Sequence, residues 1–249
     1  LGGMGFSVIL DILRHRRFRL LMLHSRIVLV MTGILFLSGW LLTLLLEWDN
    51  PATLGKLPPA VRVMAAAFQS VTLRTAGFDT IGQGGLTPAG QMVAIIHMFI
   101  GASPASTGGG IKTTTFFVVF LSVAAMVRRK TDYNVYRRRL NEQLIRRALA
   151  IFTLALTLVL FDTVVISAVE GVAGAEDTLA DVLYETVSAF ATVGLTTGIT
   201  PTLSVVSKLL ISLTMFLGRV GPLTVSMALS GGPQKPDAIR YPEERLMVG

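Results

Sequence analysis

Residues Tyr184–Leu195 read YETVSAFATVGL, and residues Phe68–Phe78 read FQSVTLRTAGF. Both stretches open on the same residue types in the same order: Phe68 or Tyr184, Gln69 or Glu185, Ser70 or Thr186, Val71 or Val187, Thr72 or Ser188. They close alike, Thr75-Ala76-Gly77-Phe78 beside Thr192-Val193-Gly194-Leu195, with one extra residue between the blocks in the second copy. Each copy starts as a helix and ends in a polar, glycine-containing run. A lone Thr-x-Gly is common by chance, but its recurrence after matched short helices marks an internal repeat.

The surroundings of the repeat are apolar. Of 249 residues, 52% are hydrophobic and 15% charged, where a soluble domain carries about 25% charged residues. The composition points to an integral membrane protein. With no cysteine, disulfides and thiolate metal sites are excluded; His15, His24 and His97 are scattered and suggest no metal centre. The chain opens on LGGMGF, with neither an initiator Met nor a signal peptide, and is expected to be a fragment of a longer protein.

Four long apolar runs are expected to cross a bilayer: Ile27–Leu46, Gln91–Val127 with an interruption, Ala148–Val169, and Leu203–Leu229 with a charge and a proline inside it. Twenty helical residues rise about 30 Å, the thickness of the hydrocarbon core. Trp40 and Trp48 sit near one end of the first run, where interfacial aromatics belong. Arg14–Arg19 is basic, and Arg128–Arg147 holds eight Lys/Arg against two acids, whereas Glu170–Asp181 holds four acids and no base. The positive-inside rule places the basic segments in the cytoplasm, and the crossings then alternate consistently. Topology accounts for the arginine-rich loop, so no nucleic-acid partner is expected.

Between each pair of crossings lies a segment too short to span, Pro59–Phe78 and Thr178–Leu195. Both fall on the outer side, the layout of a re-entrant helix followed by an extended loop. Such backbone is tolerated at membrane depth only where it is buried in protein or lines a watery cavity. A partly dehydrated cation needs oxygens in place of its lost water, and backbone carbonyls supply them without full negative charge. Glycine and small residues let the backbone turn as required. Thr75, Ala76, Gly77 and Phe78, with Thr192, Val193, Gly194 and Leu195, therefore read as ion-binding filter strands; TVG is also the core of potassium-channel filters.

The stretches VTLRTAGFDT, FIGASPASTGGGIKTTTF, SAFATVGLTTGIT and FLGRVGPLT resemble the Trk/Ktr/HKT superfamily of potassium transporters. They are most similar to the ion-translocating membrane subunit of bacterial Ktr or Trk systems. The resemblance covers nearly the whole chain and implies four helix–pore loop–helix repeats around one pore, of which this chain is similar to the third and fourth. LGGMGF resembles the end of the second, so two filter strands are missing. The expected fold is an all-α membrane protein with two parallel repeats. Residues 1–23 would end the preceding repeat and form a basic linker. Residues 24–130 would form the third repeat, with its pore helix and filter at 59–78 and a gate loop at 101–113. A basic linker at 131–147, the fourth repeat at 148–230 with its filter region at 178–195, and a cytoplasmic tail at 231–249 would complete the chain.

By the same resemblance GASPASTGGGIKTTT, Gly101–Thr115, is an intramembrane gate below the filter. Gly101, Pro104, Gly108, Gly109 and Gly110 cannot continue a regular helix, and Ser103, Ser106 and Thr107 offer hydroxyls to freed backbone groups and passing ions. Lys112 has no firm role at this level. The competing reading is a nucleotide loop, but G-x-x-x-x-G-K-[ST] needs Gly directly before Lys, and Ile111 intervenes. Arg219 is a charge inside a crossing, which is costly unless it faces a cavity or a partner. In the family the matching arginine projects into the pore, so Arg219 is expected to be an electrostatic barrier to cations; a salt bridge with Asp162 is the alternative. Arg74 would brace the filter from behind with its planar donors, and Asp79 could draw cations to the mouth.

The expected function is potassium uptake through a bacterial inner membrane, with K+ as the transported ion, no organic cofactor and no enzymatic chemistry. The resemblance implies a multi-pass homodimer in membrane lipid, bound to a cytosolic nucleotide-binding regulatory subunit of the KtrA/TrkA kind. A secondary cation transporter with a midplane site, with or without sodium coupling, is the alternative, although its repeats would more often be inverted. A membrane ATPase subunit is disfavoured by the failed lysine spacing.

Overall fold

A computed structural model describes residues 2–129, 132–136, 138–174, 178–221 and 224. Its helices are α1 (Phe6–His15), α2 (Leu23–Glu47), α3 (Pro59–Thr72), α4 (Pro88–Phe99), α5 (Thr113–Val127), α6 (Glu142–Ala173), α7 (Leu179–Phe190) and α8 (Val205–Val220). The expected tail at 231–249 and residues 222, 223 and 225–229 of the fourth apolar run, with its proline, lie outside the described residues, as do Glu176 and Asp177 of the acidic segment.

α2 and α6 are the two described helices long and apolar enough to cross a membrane. α2 has 25 residues, a rise of about 37 Å. Ile34, Leu37, Leu41 and Leu45 along it are exposed, so it is apolar on its outer face as well as toward the protein. α6 starts before its apolar run, at Glu142, because the Asn141 side chain accepts from the Gln143 N–H. It ends at Gly174, whose φ of 78° closes the last turn in the left-handed region,. The second long run is broken as the sequence indicates: α4 stops at Phe99, α5 starts at Thr113, and Ile100 and Ile111 pair across the break.

The two short helices have local start signals. Pro59 at the head of α3 needs no N–H partner,. Thr178 and Asp181 form a reciprocal capping box at the head of α7,.

Packing mirrors the repeat. α2 lies against α3 and α4, α6 lies against α7 and α8, and the halves join where α4 meets α7 and α5 meets α6. The core at that junction includes Met98, Ile111, Val159, Tyr184, Val187 and Phe190. Phe99 lies between the rings of Phe152 and Phe190, with centroids at 6.1 and 5.9 Å. The all-α class holds. The only described strands are a small antiparallel pair, β1 (Asn134–Val135) and β2 (Arg138–Arg139), within the basic segment; its arginines hid this turn from a reading based on apolar pattern.

Candidate functional site

The two Thr-x-Gly stretches share left-handed φ values at the same two positions. Thr75 has φ 66° and Gly77 φ 77°; Thr192 has φ 52° and Gly194 φ 91°. A left-handed β-branched residue is an outlier, and such strain clusters at functional sites. Here it occurs at matched positions of both copies.

Each stretch is tied back to its short helix by a matched hydroxyl. Thr72 Oγ1 donates to the Phe78 carbonyl at 2.7 Å and accepts from the Phe78 N–H at 2.7 Å. Ser188 Oγ donates to the Leu195 carbonyl at 2.6 Å. One turn earlier on each helix, Gln69 and Glu185 secure the loop beyond each stretch. Gln69 bonds Gln83 at 2.6 Å, and Gln83 donates to Asp79 at 2.7 Å. Glu185 accepts from the Thr197 N–H at 2.9 Å and the Thr200 hydroxyl at 2.8 Å, and also from the Thr196 hydroxyl. Gln83 links the halves, because its Oε1 also accepts from the Tyr184 hydroxyl at 2.9 Å. The stretches run side by side: a Cβ on Gly77 would lie 2.1 Å from the Val193 carbonyl oxygen.

The expected gate loop lies directly against both. A Cβ on Gly108 would fall 2.3 Å from Thr75 Oγ1, and one on Gly109 2.5 Å from Thr192 Oγ1. Gly101 is pressed on the Gly109 carbonyl, and Gly110 on Ala191. Within the loop, Ser106 Oγ donates to the Ser103 carbonyl at 2.5 Å and Lys112 Nζ to the Gly108 carbonyl at 2.6 Å. From outside it is held on two sides. Ser103 N–H donates to the Gly3 carbonyl at 3.0 Å, and the Phe6 N–H to Ala105 at 3.1 Å, while the Pro104 carbonyl abuts Gly5. From α8, the Arg219 guanidinium donates to the Thr107 carbonyl. The loop thus gathers both Thr-x-Gly stretches, Lys112 and Arg219 into one constellation.

Asp162 is not Arg219's partner among the described residues; it accepts from the Thr214 hydroxyl across the α6–α8 contact. Arg74, expected to brace the first stretch, makes no side-chain hydrogen bond among the described residues; it lines a cavity of about 380 Å³ with Thr75 and Ala76, its Nε buried and unpaired. Asp79 is on the loop after Phe78. Burial pushes its carboxyl up, but hydrogen bonds from the Gln83 side chain and from the N–H groups of Gly82, Ile81 and Gln83 outweigh that and hold it below the usual carboxylate range,.

Sequence reading missed a second matched device. Glu47, at the end of α2, accepts from the N–H and hydroxyl of Thr87 at 2.9 and 2.6 Å. Glu170, in the last turns of α6, accepts from the N–H and hydroxyl of Ser204 at 3.0 and 2.8 Å. Thr87 and Ser204 cap α4 and α8, so each long helix clamps the start of the second helix of its repeat. A signal existed downstream: Met98-Phe99-Ile100-Gly101 repeats as Met215-Phe216-Leu217-Gly218. Both glycines meet backbone, since a Cβ would lie 2.1 Å from the Gly109 carbonyl at Gly101 and 1.8 Å from the Phe190 carbonyl at Gly218.

Comparison with known proteins places this arrangement. The sequence profile of TrkH, a cation transport protein, matches residues 2–235. Over 248 residues the chain is 38% identical to the Ktr system potassium uptake protein B of Bacillus subtilis, covering 100% of this chain and 54% of that protein. It is 36% identical over 249 residues to the potassium/sodium uptake protein NtpJ of Enterococcus hirae, covering 100% of this chain and 55% of that one. The crystal structure of the potassium transporter TrkH from Vibrio parahaemolyticus superposes with a TM-score of 0.69 at 17% identity, covering 92% of this chain and 50% of that one; this likeness concerns the fold. The chain spans about half the length of the relatives it matches.

Proposed function

This chain belongs to the TrkH family of cation transport proteins, and on that premise we propose that it carries half of a potassium uptake pathway. Thr75–Phe78 and Thr192–Leu195 form two of the ion-binding walls. The observation that carries the reading is the matched strain: left-handed Thr and Gly at the same places in both copies, each copy fastened by a hydroxyl to its fourth carbonyl. Alternating backbone handedness can face successive carbonyls the same way, which is what a cation shedding water requires. Thr192 Oγ1 is buried without a partner among the described residues, and an ion at that level would use it.

Gly101–Lys112 is the gate, and Arg219 is a barrier that also holds it. Transport is passive along the electrochemical gradient, and the family's transport role leaves no enzymatic step to assign to this chain. The whole protein is multi-pass in a bacterial inner membrane, a homodimer, and paired with a cytosolic nucleotide-binding subunit that meets its basic segments. The names of the relatives, one of them part of a Ktr system, support such a partner.

The test is growth of a potassium-uptake-deficient bacterium at limiting potassium, rescued by the full-length protein. Gly77→Asp and Gly194→Asp, each expressed at the parent's level, should each abolish rescue. Intact rescue in both would overturn the reading.

A further inference from the structure

A slot away from the ion pathway has the chemistry of a lipid site. It is a cavity of about 350 Å³ enclosed by the first turns of α2, the start of α5 and the first turns of α6, within the roughly 300–1,000 Å³ usual for ligand pockets. Ile27, Val118, Leu144 and Ile151 wall it, and its polar groups are His24, Thr114, Thr115 and Arg147; no carboxylate lines it. Three cations near it are engaged. Arg139 pairs with Asp132 at 3.0 Å and Arg146 with Glu142 at 3.8 Å, while Arg26 stacks over Tyr136 at 5.8 Å. Arg147 has no hydrogen-bond or ion-pair partner among the described residues, although it stands at the mouth of an apolar slot.

We infer that this slot binds an anionic phospholipid, with an acyl chain between α2, α5 and α6 and its phosphate on Arg147 and His24. The occupant is identified by charge complementarity. An apolar interior with two hydroxyls, an imidazole and one guanidinium at its rim suits an amphiphile with a negative head. It lies at the basic end of the two membrane-length helices, where anionic headgroups gather against Lys and Arg. A peptide would need partners for its backbone polar groups, and the walls supply few. Thr114 and Thr115 come just after Lys112 and the loop held on it, so the lipid would rest on the first turn of the helix that leaves the gate.

The inference rests on the membrane reading but not on which ion is carried. Native mass spectrometry of the purified full-length protein, with phosphatidylglycerol or phosphatidylethanolamine of identical acyl chains, tests it without measuring transport. The wild type should prefer phosphatidylglycerol. Arg147→Gln should lower that preference about fivefold, as loss of one cation near a headgroup implies, and Ala148→Trp, which fills the slot, should reduce occupancy by both lipids. Arg128→Gln, outside the slot, should change neither. Equal binding of the two lipids by the wild type, loss with Arg128→Gln but not Arg147→Gln, or unchanged occupancy in Ala148→Trp would each overturn it.

Discussion

Arg219, one residue from the end of α8, donates to the carbonyl oxygen of Thr107 in the loop that breaks the other inner helix. A charge of this kind both repels cations and fixes what it touches. Arg219→Ala in the full-length protein should therefore raise potassium flux into liposomes, about tenfold for each ~1.4 kcal/mol of barrier removed. Unchanged or lower flux at normal expression would refute the barrier. Arg219→Lys keeps the charge but loses the planar fork, and should stay near wild type if repulsion dominates over the bond to Thr107.

The hydroxyls of Thr72 and Ser188 make a separate test. Neither needs to touch an ion; each sets the carbonyl that closes its stretch. Ser188→Ala leaves the Leu195 carbonyl without this donor and should cost about 1–3 kcal/mol. Thr72→Val removes two bonds and should cost more. In both, the ratio of potassium to sodium flux should fall while the protein stays monodisperse. A ratio equal to wild type in both would mean that these hydroxyls serve folding alone.

Glu47 and Glu170 do the same job with different stakes. Glu47 is fully buried and also accepts from Asn50 at 2.6 Å and Thr53 at 2.7 Å, whereas Glu170 serves only the first turn of α8, through Ser204 and the Ser207 hydroxyl. Each buried donor left unpaired costs about 1–3 kcal/mol. Glu170→Ala should thus lower the thermal midpoint in detergent modestly, and Glu47→Ala should lower it distinctly more. The opposite order would show that the apolar packing of α2, not the clamp, fixes α4.

Asp79 gives a pH dependence with a definite sign. Its folded pKa is depressed, so its stabilising contribution is full above the unfolded value, about 3.9, and is lost as pH falls through the lower folded value,. The segment from Phe78 to Gln83 should be indifferent to pH between about 5 and 8 and loosen in more acid solution. The hydrogen-exchange protection factors of Ile81 and Gly82, whose N–H groups donate to Asp79, should fall there relative to the intrinsic rate at each pH. Asp79→Asn should remove the acid dependence.

Much of this was legible in the sequence because membrane proteins obey a few rules strictly. Length and apolarity gave α2 and α6, the charge bias proposed an orientation, and the doubled Thr-x-Gly located the two strained turns. The break between α4 and α5 at Gly101 to Lys112 was legible from its glycines. The Glu47 and Glu170 clamps were not, because each acid lies far from its capping residue along the chain, with connections of unequal length between them. Nor did any local pattern mark the contacts of Gly3 and Phe6 with the loop, which exist only because two distant segments fold together. Arg219 could be singled out as an intramembrane charge, but its partner, a backbone carbonyl, has no sequence signature.

α1 is fastened at both ends. Its first N–H is bonded to Ala105 in the loop. Toward its far end Asp11, bonded to His15 of the same helix, accepts from the N–H of Met22, at 2.9 Å each, beside the arginines of the basic turn. Ten residues of helix make a strut about 15 Å long. Because Met22 also caps α2, a load on the basic turn or on the first turn of α2 has a direct line along the helix axis to the loop.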